Sequence, residues 1–118
     1  MMDLYQLVKT LDWEAIESAR DRVTANEVAS LASYYTSLKS WDEKAAVICL
    51  VQDTLDPVLL PMMKDFLAAP PGDDDIIWMG KLTALLHLDG SFDRYKEYSQ
   101  GGPNGVEGRA RERLASFR

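Results

Sequence analysis

Apolar residues recur along this chain at helical rather than strand spacing. Leu4, Leu7, Val8 and Leu11 form one stripe, Trp13, Ile16, Ala19 and Val23 a second, and Val28, Leu31, Tyr35 and Leu38 a third. Such intervals of three, four and seven residues put side chains on one side of an α-helix. Leu59, Met62, Met63, Phe66 and Leu67 repeat the pattern, as do Trp78, Leu82, Leu85 and Leu86. Residues 45–51, AAVICLV, are apolar almost all round, which predicts a central helix covered on two sides.

Punctuation between the stripes fixes where helices begin. Thr24-Ala-Asn-Glu27 and Ser40-Trp-Asp-Glu43 have the form of a capping box, in which a hydroxyl caps a first-turn amide and a glutamate reaches back. Asp56 precedes Pro57, an acceptor followed by a residue whose fixed φ and missing N–H suit the first helical position. Asp73, Asp74 and Asp75 follow Pro70-Pro71-Gly72, so they fall where negative charge meets the positive end of a helix dipole. Gly90 predicts a left-handed stop. A short helix is expected within residues 91–98, and Gly101-Gly102-Pro103-Asn104-Gly105 reads as a break before an Arg-rich terminal helix.

The starts are evenly spaced. Thr24 to Ser40 and Ser40 to Asp56 are 16 residues each and Asp56 to Asp73 is 17, so a pair of helices recurs at the period of helical solenoids. Short loops make consecutive helices antiparallel, and such pairs stack on a shared core. The segment PVLLPMMKDFLAAP, with its internal Pro61, resembles the first helix of a HEAT-type (armadillo-like) repeat, and DDDIIWMGKLTALLHLDG resembles the aspartate-initiated second helix. Residues 25–54 resemble a preceding unit. The resemblance, over about residues 25–90, implies an all-α fold of antiparallel helix pairs stacked as a short right-handed HEAT-like solenoid. A non-repetitive helical bundle is the alternative. Residues 1–98 are expected to form one helical domain, with 99–118 as a Gly-rich break and a helix packed on it or trailing from it.

Composition narrows the function. A chain of 118 residues that is 47 % hydrophobic can bury a core without disulfides or metals. Its one cysteine, Cys49, lies in apolar sequence, which suits a reducing compartment and, with no basic segment leading an apolar run at the N-terminus, a cytoplasmic location. No run approaches the roughly 20 apolar residues of a membrane span. The net charge is −6; Arg109, Arg111, Arg113 and Arg118 against Glu107 and Glu112 give residues 99–118 a charge of +2 and leave −8 on the first 98. Such an acidic body repels nucleic acid and anionic lipid and attracts a basic protein surface.

Candidate chemistry is sparse. The three aspartates lack the alternation, central glycine and terminal glutamate of a calcium loop, so helix initiation rather than metal binding is the expectation. His87 and Asp89 are two residues apart and point to different sides of a helix. Without a phosphate loop, paired metal ligands or a nucleophile elbow, neither enzymatic activity nor a cofactor is expected.

The expected class is therefore a non-enzymatic protein-interaction module, monomeric or homodimeric, that binds a basic partner as an adaptor, inhibitor or immunity-type protein would. Its expected contact residues are Asp42, Glu43, Asp53, Asp73 and Asp74 for the field and Trp41 as an aromatic anchor. The alternative is a small ligand-binding domain or enzyme with a pocket near His87 and Trp78.

Overall fold

The structure, a computed structural model, describes residues 3–71 and 74–117. Among these the chain forms eight α-helices and no strand: α1 Leu4–Thr10, α2 Trp13–Arg20, α3 Ala25–Tyr35, α4 Trp41–Val51, α5 Leu60–Phe66, α6 Asp75–Asp89, α7 Tyr95–Ser99 and α8 Gly102–Ala115. A 3-10 turn, Pro57–Leu59, leads into α5.

The helix starts follow the caps. Thr24 and Glu27 close a full capping box, with the Glu27 amide donating to Thr24 Oγ1 at 3.3 Å and the Thr24 amide to Glu27 Oε1 at 2.9 Å. At Ser40 only half of the expected box forms. The Ser40 hydroxyl accepts from the Glu43 amide, but the Glu43 carboxylate turns to Lys9 Nζ at 2.8 Å, because α1 packs beside the start of α4 and supplies a cation. Asp56 caps the Val58 amide at 2.9 Å, although what it starts is the 3-10 turn, since Pro61 falls in the first turn of α5. Asp74 occupies the N-cap of α6 without a side-chain cap bond, and Asp75 accepts from Trp78 Nε1 at 3.0 Å instead.

Glycines end and begin the later elements. Gly90 stops α6 in the left-handed region, φ 76°. The expected five-residue break at 101–105 contracts: Gly101, φ 84°, caps α8, and the helix already includes Gly102 through Gly105. Gly105 has to be a glycine there, because a Cβ would collide with the Gln100 carbonyl.

Side-chain contacts give the helix directions. His87, in the last turn of α6, bonds the carbonyl of Gln52 just past the end of α4, so α4 and α6 run the same way. Arg20 at the end of α2 meets Asp53 beyond the end of α4. Contacts from Lys81 to Glu107 and from Leu88 to Arg113 advance together along α6 and α8. Thus α2, α4, α6 and α8 lie as a parallel row, each packed on the next. Tyr35 and Asp65, at the ends of α3 and α5, are joined by a hydrogen bond of 2.7 Å, so these two helices are parallel to each other as well. The terminal helix α8 packs on α6 and α7.

Two helices form the centre. In α4 residues 45–48, 50 and 51 are buried, as expected of the apolar run. In α6 the buried set exceeds the one stripe seen in sequence and includes Ile77, Gly80, Lys81, Ala84 and His87. The cause is that α4, α5, α7 and α8 all pack on it. Gly80 admits the fully buried ring of Phe66 from α5, which a Cβ would strike. Lys81 is buried completely, and its ammonium is held by the Glu107 carboxylate, which Arg111 also bonds at 3.2 Å.

Two substitutions test this packing. Gly80→Ala gains about 1 kcal/mol of helix propensity but forces a fully enclosed ring to move, at about 1–3 kcal/mol or more; thermal unfolding is expected to report a net loss. Glu107→Ala leaves the Lys81 ammonium buried without a counter-charge and should cost about 3 kcal/mol in urea unfolding. Replacing the pair together by methionine and leucine should recover most of that. A single variant as stable as the parent would mean that water reaches Lys81 unaided.

Candidate functional site

The parallel row leaves a groove along α2, α4 and α6. Each helix contributes residues from one side: Trp13, Glu17 and Arg20 from α2, Ala45, Ile48 and Cys49 from α4 with Gln52 just past its end, and Ile76, Met79, Gly80 and Thr83 from α6. Tyr95, at the start of α7, closes one edge. The enclosed volume is about 170 Å³, room for a side chain rather than for the usual small-molecule ligand of about 300–1,000 Å³ sites. Over this floor Met79 and Tyr95 stand 53 % and 55 % exposed.

Its polar groups are few. Arg20 ion-pairs with Asp53 at 3.2 Å, whereas Glu17 makes no ion pair among the described residues. Burial pushes the Cys49 thiol above its ordinary pKa, with the Arg20 guanidinium pulling the other way. The thiol is therefore protonated at neutral pH and is a poor nucleophile.

The sequence-expected contact residues are spread over the row. Trp41 is half-buried, its ring edge-on to Phe66 with centroids 5.8 Å apart and the Lys44 ammonium 4.2 Å above it. Asp42 is exposed in the first turn of α4, and Glu43 beside it is engaged by Lys9. Asp74 caps α6 at the same end of the row, since α4 and α6 are parallel. Asp53 follows the other end of α4, about 16 Å away at 1.5 Å per residue, and is paired with Arg20. Asp73 lies outside the described residues. The described members of the set divide between two ends of the row and do not converge.

A second groove, of about 510 Å³, runs between α3 and the Pro57–Leu59 turn with α5. Its polar atoms answer one another. Asp65 Oδ2 accepts from Tyr35 Oη at 2.7 Å and from Lys44 Nζ at 3.3 Å. Burial, and then the bond to Asp65, raise the Tyr35 hydroxyl far above its ordinary pKa.

Neither groove is lined by His87 or Trp78. The His87 ring is 2 % exposed, with Nε2 at 2.9 Å from the Gln52 carbonyl and an edge-on contact to Phe92. A carbonyl only accepts, so Nε2 carries the proton and the buried Nδ1 is left without a partner. No group of three or more possible metal ligands occurs among the described residues, and no helix there is long and apolar enough to cross a membrane. Comparisons with protein-family models, characterised proteins and solved structures find no match.

His87 should set a pH dependence of stability. Desolvation lowers its pKa, against the opposing Gln52 bond and Asp53 charge. The unfolded chain therefore takes up a proton near pH 6.5 that the folded chain resists, and stability falls as pH drops below about 6.5 until the folded pKa is reached. Urea midpoints of the parent and of His87→Gln are expected to converge over that window. A constant difference between them would show that the ring titrates alike in both states.

Proposed function

We propose that this chain is a non-enzymatic protein-interaction module, built as a short right-handed stack of HEAT-like helix pairs, that takes a basic partner along the α2–α4–α6 groove. The observation that carries this reading is the placement of Met79 and Tyr95, large and more than half exposed, over an apolar floor shared by three helices. Aromatic and methionine side chains held this way are the residues that anchor interfaces. The size of the groove favours one inserted partner side chain over a bound metabolite.

Charge argues for the sign of the partner. The chain carries −6 overall, and Glu17 on the groove wall makes no ion pair among the described residues. A segment with a large apolar side chain beside a lysine or arginine fits this arrangement. An inhibitor, an adaptor or an immunity-type protein acts through such a contact.

The test is capture and kinetics. A partner captured by the parent should be lost, or bound about ten- to thirtyfold more weakly, by Met79→Ala and Tyr95→Ala, mainly through faster dissociation. Glu17→Lys should slow association and reduce its dependence on salt. A partner that binds all three variants like the parent does not use this groove.

A further inference from the structure

The face that carries the second groove is built differently from the rest of the surface. Residues 25–38 and 54–63, 24 in all, contain only two charged side chains, Glu27 and Asp56, in a chain that is 27 % charged. Both are occupied in capping helices, Glu27 on the Thr24 amide and Asp56 on the Val58 amide. The two other charges on the groove, Lys44 and Asp65, pair with each other at 3.3 Å. The lining of the groove therefore carries no net charge on an acidic protein, while Glu27 and Asp56 remain carboxylates at its margins.

Its relief is also two-sided. One wall, on α3, carries the small side chains Ala29, Ala32 and Ser33 ahead of Tyr35 and Thr36, and the other carries Val58, 43 % exposed, and Pro61. A surface that joins a ridge to a hollow can meet its own copy across a twofold axis, with the ridge of each set into the hollow of the other. Depletion of charge at the centre is the compositional mark of such contacts.

We infer that this face is the contact of a homodimer, with Val58 and Pro61 of one copy seated against Ala29, Ala32 and Ser33 of the second. The occupant follows from charge. Two copies at −6 each repel wherever their carboxylates meet, and a groove whose two charges, Lys44 and Asp65, already pair with each other lets them approach there without adding like charges at the centre of the contact. The α2–α4–α6 groove is formed by other helices, so a dimer made this way does not use it.

Sedimentation velocity from about 1 to about 500 μM, a range that spans weak and moderate affinities, decides the question. The parent should pass from monomer to dimer as concentration rises. Ala29→Glu and Val58→Glu, both at exposed positions, set like charges against each other across the twofold and should weaken the dimer by at least about a hundredfold. Their circular dichroism and melting should match the parent. Ser18→Glu, an equally exposed charge on α2, should leave the dimer intact. A parent that stays monomeric throughout overturns the inference and leaves the face to a different protein. Dimers that survive both Ala29→Glu and Val58→Glu overturn it as well, because the contact then lies elsewhere.

Discussion

Two helices without a polar side have to be covered, and the rest of the chain is arranged around that requirement. α4 buries six of its residues in the run 45–51, and α6 buries eight between Ile77 and His87. Apolar surface of this kind gains about 25 cal/mol for each Å² removed from water, so each helix recruits neighbours on several sides. The neighbours are short. α1, α2, α5 and α7 have between five and eight residues, below the length at which a helix persists alone in water. Their structure is a consequence of docking on α4 and α6 and would not outlast it.

Apolar burial gathers helices but does not by itself fix how they slide. Two features here do. Phe66 fills the space that Gly80 leaves, so α5 meets α6 at one height only. Lys81 and Glu107 form the corresponding pin between α6 and α8, because a slip of α8 by one residue would leave a fully buried ammonium without its carboxylate. Burying such a pair contributes little net stability compared with an apolar pair, but breaking it is costly. Its effect is therefore on register more than on strength.

These same features mark what was legible in the sequence. Caps act over three or four residues, so Thr24, Ser40, Asp56 and Gly90 announced their elements. The run 45–51 announced a central helix because nothing in it could face water. The second central helix was hidden, since Lys81 and His87 make α6 read as one-sided until Glu107 and the Gln52 carbonyl are brought to them from 26 and 35 residues away. Glu43 illustrates the same limit: local sequence assigns it to the Ser40 cap, and Lys9 takes it by tertiary contact. The groove was less legible still. Its floor comes from three alternate helices, and although short loops imply their common direction, no local pattern states which of their side chains meet there; Met79 and Tyr95 lie outside the apolar stripes that periodicity picks out.

The parallel row also sorts the carboxylates by the helix dipoles beside them. Parallel helices gather their positive dipole ends on one side, and Glu14, Asp42, Glu43, Asp74 and Asp75 sit at those ends of α2, α4 and α6. Charge placed there stabilises helix starts, and a part of it, about half a charge per helix, is opposed by the peptide dipoles beneath. At the other end the dipoles are negative, and carboxylates there require cations: Asp53 has Arg20, and Asp89 has Arg94 at 3.7 Å. Glu17 stands between these ends, on the middle of α2 and on the groove wall, away from either dipole end and, among the described residues, outside any ion pair. Glu17 is thus a carboxylate that a partner's cation entering the groove can reach without a helix terminus competing for it.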